Sequence, residues 1–366
     1  MQIKELCEFG LINHLTKDIK PQNASTIKGI GDDCAIIDYQ NGSDTPKESL
    51  VTTDLLLEGV HFDLTYVPLK HLGYKAVMVN LSDVYAMGGT PRQITVSLGI
   101  SKRFEVEDME ELYSGMLLAC KEHEVDLVGG DTCSSLTGLT ISITCIGEVE
   151  KGKAICRNGA KDTDLICVSG DLGAAYMGLQ LLEREKAVWE AQYQEAQKKI
   201  QEGGKNISLE EIEANSSSEA FEGREYLLER QLKPEARRDI IMKLRDAGIC
   251  PTAMMDISDG LSSELMHICK QSECGCRVYE ERIPIDYQTA VAAEEFNMNL
   301  TTCALNGGED YELLFTVPLA DHDKVEAIEG IKLIGYITKK ELGQRLITRD
   351  DQEFDLKAQG WEALKE

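Results

Sequence analysis

A set of aspartate motifs stands where strand-like or helix-like stretches meet glycine-rich turns. They are Gly31-Asp32-Asp33, Thr52-Thr53-Asp54, Asn80-Leu81-Ser82-Asp83, Gly129-Gly130-Asp131, Asp256-Ile257-Ser258-Asp259-Gly260 and Asn306-Gly307-Gly308-Glu309-Asp310. Taken singly, such an aspartate caps a helix or closes an Asx turn, with glycine supplying positive φ. As a set they read differently. Most are flanked by apolar residues, which places carboxylates at the ends of core elements. Buried carboxylates repel one another and must neutralise or find cations. Hard oxygen ligands with Thr and Ser hydroxyls beside them suit Mg²⁺, which completes its shell with water and substrate phosphates. An acidic protein can thus bind a polyphosphate through interposed metal, with one basic residue for a terminal phosphate. Arg157, in the 154–160 loop, is a candidate for that contact; a surface or interdomain salt bridge is its other reading.

Other chemistries lack their residues. Histidines number 6, no Ser–His–Asp or Cys–His signature occurs, and no GxxxxGK[ST] phosphate loop is present. The 12 cysteines are scattered without a CxxC pair, which reads as free thiols in a reducing cytoplasm. Lys plus Arg total 38 against 64 Asp plus Glu, a net charge of −26 that repels nucleic acid and anionic membranes. No run of about 18 apolar residues offers a membrane span, and the N-terminus lacks the pattern of a signal peptide.

Positioning these motifs requires α/β structure. The 366 residues suffice for two or three domains at roughly 100–200 residues each. Residues 93–100 and 139–149 alternate as strands do; 35–38, 50–53 and 125–128 read as shorter strands. Helical spacing marks 69–87, ended by Gly88-Gly89-Thr90-Pro91, and 106–123. A second α/β run starts with a strand at 164–169 and a helix at 172–182, then resumes with helices at 234–247 and 261–270 and strands at 313–317 and 331–337. Between these, 183–225 is rich in Glu, Gln, Lys and Ser and reads as a polar helix followed by a loop, a surface insertion to which no function is assigned. The expected organisation is two α/β (α+β) domains, residues 1–150 and 151–366.

The stretches GIGDDCAII (29–37), TTDLLLEGVHF (52–62), YKAVMVNLSDVYAMGGTPR (74–92), LVGGDT (127–132), DISDGL (256–261) and NGGEDYELLF (306–315) resemble the thiamine-monophosphate kinase family. That family sits within the aminoimidazole-ribonucleotide-synthetase-like superfamily. The resemblance covers the chain from about residue 5 onward apart from the polar stretch, and EGVHF, NLSDxxAMGG and GGEDYELLF are what single out the kinase. It implies an N-terminal domain that dimerises through its sheet and a C-terminal α/β domain that closes over ATP.

Carried over by position, it implies several Mg²⁺ ions on Asp33, Thr52, Thr53, Asp54, Asp83, Asp131, Asp256 and Asp259, with Asp32 left open. ATP would be met by Gly130, Asp131, Arg157 and Ser258. Thiamine monophosphate would be met by His61, Glu309 and Trp361. Without the resemblance, His61 reads as a packed core histidine and Trp361 as packing for the chain end. One departure is Gln231-Leu232-Lys233-Pro234, where the family often has His-Leu-Arg-Pro. The implied reaction transfers the ATP γ-phosphate in line to thiamine monophosphate; its acceptor oxygen is already anionic, so no residue is expected as acid, base or nucleophile. Two other readings compete: a sister ligase-type enzyme, and a non-catalytic metal-binding protein. Against the first, Cys7 in Leu6-Cys7-Glu8 lacks the glycine-rich loop that selenophosphate synthetase chemistry needs.

Overall fold

Alternation of apolar and polar side chains builds the first sheet, and a computed structural model describes residues 14–28, 36–38, 45–201 and 221–359. Strands β1 (Thr26–Lys28) and β2 (Ile36–Ile37) form a small antiparallel pair. Strand β3 (Lys47–Leu57) leads to helix α1 (Leu69–Ala86), β4 (Thr90–Ile100), helix α2 (Val106–His123), β5 (Asp126–Ser134) and β6 (Thr140–Glu150). The four long strands order as β3-β6-β4-β5. Only β4 and β5 run parallel, and α2 is the crossover such a pair requires. Leu72, Ala76, Val77, Leu81 and Val84 of α1 are all buried. Helix α2 opens on a reciprocal Glu105–Asp108 capping box. The outward sheet face bears Val51 and Leu55, 68% and 50% exposed.

The second sheet collects β7 (Leu165–Ser169), β8 (Ala253–Asp256), β9 (Cys274–Tyr279), β10 (Leu313–Val317), β11 (Ile331–Lys339), β12 (Gln344–Ile347) and β13 (Glu353–Asp355). Their order is β13-β12-β9-β11-β7-β10-β8, antiparallel except for β9 with β12. Its helices are α3 (Ala174–Gln201), α4 (Glu225–Leu232), α5 (Arg238–Asp246), α6 (Leu261–Gln271), α7 (Tyr287–Glu295), α8 (Leu300–Asn306) and α9 (His322–Glu326). Strands β7 and β10 are buried on both faces, which is why they read as unbroken apolar runs. Cys167, Leu313, Phe315 and Val317 join one core with α1 and the first sheet, while Ile166, Val168 and Leu314 join another with α6. One apolar body thus ties the two sheets together.

The helix expected at the start of the polar stretch is present, and among its described residues most side chains from 183 to 198 are exposed or half-buried. Helix α3 runs unbroken from Ala174 to Gln201, because Glu, Gln, Ala and Lys are strong helix formers. Trp189 and Tyr193 stack one turn apart on it, with centroids 5.3 Å apart. Its early turns also enter the cavity described below. No helix among the described residues is long and apolar enough to cross a membrane.

Candidate active site

Period-two geometry on β3 turns Thr52 and Asp54 toward α1 and the body of the protein, between the outward-facing Val51, Thr53 and Leu55. Helix α1 brings Ser82 and Asp83 to the same place, and the end of β8 brings Asp256. The Thr52 hydroxyl donates to Asp83 at 2.5 Å, and the Ser82 hydroxyl donates to Asp256 at 2.6 Å. Three carboxylates from three elements and both sheets therefore converge. Burial pushes Asp54 up to about 6, with Asp83 adding to the rise. Burial also raises Asp83, against the Thr52 hydrogen bond and the Arg157 charge. Asp256 is raised by burial and then by Asp83. Protonation relieves the mutual repulsion, and a divalent cation would relieve it better.

The acids border a cavity of about 790 Å³ that also holds Leu56, His61, Lys75, Ser258, Asp259 and Glu309. Asp83 and Asp256 line a second cavity of about 370 Å³ as well, which contains Thr52 and Arg157. The carboxylates stand where the two cavities meet.

The segment from Asn306 to Tyr311 is fastened to the Asp256–Gly260 loop. Glu309 N–H donates to Ser258 O at 2.6 Å and Tyr311 N–H donates to Ile257 O at 2.9 Å. Gly308, at φ 73°, leaves no room for a Cβ, which would come within 2.7 Å of Ser258 O. Glu309 and Tyr311 hold φ of 58° and 51°, a strained backbone of the kind that persists where surroundings impose it. The Glu309 carboxylate receives Lys75 Nζ at 2.9 Å and Gln231 Nε2 at 2.8 Å. Asp310 is buried away from the cavity, raised to about 7 by that burial, and accepts Gly173 N–H at 2.9 Å with Arg230 nearby. Its place is structural. His61 lines the cavity, and its Nδ1 accepts Leu57 N–H at 3.0 Å, which fixes the ring.

Not every expected residue arrives at this point. Register aligns Asp54 with Ile143, Val96 and Gly130, so Gly130 lies three strands away from it. A Cβ on Gly130 would meet Val96 O at 1.9 Å, so close strand approach alone demands a glycine there. Asp131 shares its row with Leu55, Ser142 and Ser97 and therefore faces the opposite side of the sheet from Asp54. It is exposed and accepts Thr132 N–H at 2.9 Å. Thr53 faces outward too, donating to Ile143 O at 3.1 Å. Asp32, Asp33 and Trp361 lie outside the described residues; Gln359, at the cavity wall, is the last one described.

Sequence reasoning missed Lys75, which is only 5% exposed. Its signal was present: Lys75, Val79 and Asp83 recur every fourth residue of α1 and all line the cavity.

Comparison with known proteins agrees with this architecture. The family model described as AIR synthase related protein, N-terminal domain, matches residues 31–149. Thiamine-monophosphate kinase of Aquifex aeolicus is 34% identical over 344 residues, spanning 92% of this chain and 96% of that protein. This chain belongs to the thiamine-monophosphate kinase family. Among solved structures, thiamine-monophosphate kinase from Stenotrophomonas maltophilia K279a superposes with a TM-score of 0.70 at 28% identity, over 92% of this chain and 94% of that one. AaThiL complexed with AMPPCP and TMP superposes with a TM-score of 0.67 at 31% identity, over 100% and 99%. The two-sheet architecture is the one expected for the family.

Proposed function

We propose that this protein transfers the γ-phosphoryl group of ATP to thiamine monophosphate, giving thiamine diphosphate and ADP. The observation that carries the reading is the convergence of Asp54, Asp83 and Asp256 between two cavities, their carboxyls held above the ordinary range by burial and by one another. The family supports it, as does a relative holding AMPPCP, an ATP analogue, together with TMP.

A buried cluster of carboxylates beside hydroxyls fits Mg²⁺ in donor chemistry. Thr52, Asp54, Asp83, Asp256 and Asp259 are the residues proposed to hold it. When bound, Mg²⁺ supplies the positive charge that lets phosphates approach a protein of net charge −26 and that offsets their mutual repulsion during transfer. Thr53 and Asp131 face the other side of the sheet, so a ligand role for them requires a second copy of the chain against that face. Asp33 completes the proposed set from outside the described residues.

Thr52 and Ser82 hold Asp83 and Asp256 in place by donating to them. Arg157, in the second cavity, is proposed to meet a phosphate of ATP, with Ser258 as a further contact; Gly130, three strands away from Asp54, lines neither cavity. His61, Glu309 and Trp361 are assigned to thiamine monophosphate. The acceptor oxygen is anionic near neutral pH, so the site needs positioning and charge neutralisation instead of a strong base.

The exposed outer face of the first sheet, with Val51 and Leu55, is the surface we assign to homodimer formation. We set the domain boundary at about residue 150, a reading that the end of β6 at Glu150 supports. We place the protein in the cytoplasm; the cysteines among the described residues are free thiols, as a reducing compartment keeps them. The test is a coupled assay with ATP, Mg²⁺ and thiamine monophosphate. Formation of thiamine diphosphate with matching ADP release is expected. ADP release indifferent to thiamine monophosphate, with no diphosphate formed, would overturn the reading.

A further inference from the structure

Helix α3 presents one stripe to the large cavity. Tyr176, Leu179, Glu183 and Lys186, spaced by three and four residues, all line it. Facing them is the loop between β3 and α1, which contributes Phe62, Asp63 and Tyr66. Two bonds cross between the walls: the Tyr66 hydroxyl donates to Glu183 Oε1 at 2.5 Å, and Lys186 Nζ donates to Asp63 Oδ2 at 2.7 Å. The Lys186 ammonium also stands 6.0 Å from the Tyr66 ring centroid. Burial and the Glu183 carboxylate push the Tyr66 phenol far up, so it remains a donor to Glu183.

The charge inventory of this wall singles out one residue. Lys75 is taken up by Glu309 and Lys186 by Asp63. Both lysines lining the cavity are therefore engaged with other carboxylates. Glu183 is held by a neutral phenol, with Lys186 acting on it at longer range. Its negative charge lies at the hydroxyl edge of Tyr66, whose ring lines the same cavity, and a carboxylate with an aromatic ring near it suits a cationic heterocycle.

We propose that Glu183, oriented by Tyr66, is a specificity-determining residue that recognises positive charge on the acceptor's heterocycle. This assignment rests on the proposed reaction, whose acceptor carries a thiazolium cation. It gives the start of the polar stretch a role at the site, whereas the Glu309 carboxylate is already paired with Lys75.

The test compares wild type, Glu183→Gln, Glu183→Asp and Tyr66→Phe with two acceptors: thiamine monophosphate and its uncharged isostere, in which thiophene replaces thiazolium. Glu183→Gln should raise KM for thiamine monophosphate about fivefold, the ratio that ~1 kcal/mol supplies. Its kcat and its KM for ATP should stay within about twofold, as should KM for the uncharged isostere. Glu183→Asp should recover part of the loss, and Tyr66→Phe should show a smaller one. An equal KM rise for both acceptors would mean a purely steric wall and would overturn the proposal. An unchanged KM in Glu183→Gln, with wild type active, would overturn this assignment alone. A wild-type chain that forms no thiamine diphosphate would overturn the parent reading and this assignment with it.

Discussion

Replacing Asp54 by asparagine should stabilise the metal-free protein while removing its activity. In the folded chain this carboxyl rises from its ordinary 3.8 to about 6, through burial first and Asp83 second. A raised acid contributes stability while it is protonated, and the contribution is lost as pH climbs through the folded value. For Asp54 the window runs from about pH 4 to about pH 6, with the contribution complete below it and absent above. The rise corresponds to ~3 kcal/mol at roughly 1.36 kcal/mol per pKa unit. Asp54 is only part-buried at an open cavity, and solvent screening reduces the figure to ~1–2 kcal/mol. At pH 8 Asp54→Asn should therefore exceed wild type by ~1–2 kcal/mol, and at pH 5 by about half of that. Urea unfolding in EDTA at both pH values measures the gap. Taking the difference between variant and wild type cancels the titrations of distant groups and leaves that of Asp54 with its effect on the neighbouring acids. Turnover of the folded variant should be abolished, and added Mg²⁺ should stabilise wild type more than the variant. A variant less stable than wild type at pH 8, or a gap indifferent to pH, would refute the claim that Asp54 is held in an unfavourable charged state.

Two further expectations address the assembled site. Mg-ATP at about 100 times its dissociation constant should stabilise the fold by roughly 2.7 kcal/mol, and ATP with EDTA by little; an equal melting shift in EDTA would mean that basic residues hold the phosphates. Light scattering at micromolar concentration should give twice the mass of the chain, and a single-chain mass would sink the dimer assigned to the outer sheet face.

What was legible in the sequence followed short-range rules. Helices α1 and α2 announced themselves by spacing, and the buried strand β10 by its apolar run. Asp54, Asp83 and Asp256 were legible as carboxylates at the ends of core elements. Register was not legible, because pairing partners lie far apart in the chain. It is register that sends Thr53 and Asp131 to the opposite face from Asp54, although the motifs look equivalent on paper. Lys75 escaped notice because a lysine on an apolar helix reads as surface until its Glu309 partner, far along the chain, is placed beside it. The polar stretch was judged by composition, which describes its exposed faces. Its helical phase from Tyr176 instead carries Glu183 and Lys186 into the cavity.

The division of acids between the sheets has a consequence for how the site closes. Asp54 and Asp83 belong to the first sheet and its helix, whereas Asp256 ends a strand of the second. One apolar core already joins these bodies through Phe315, Val317 and Met254, so the carboxylates are pressed together by burial elsewhere and not by attraction to one another. Ser82 relieves part of the strain by donating to Asp256 across the junction. Raised pKa values at Asp54 and Asp256 are the residue of what hydroxyls cannot neutralise. Like charges held in this way also repel an approaching phosphate. Under the proposed function, phosphate affinity is therefore expected to depend on the cation that satisfies these acids, and nucleotide binding to be conditional on metal.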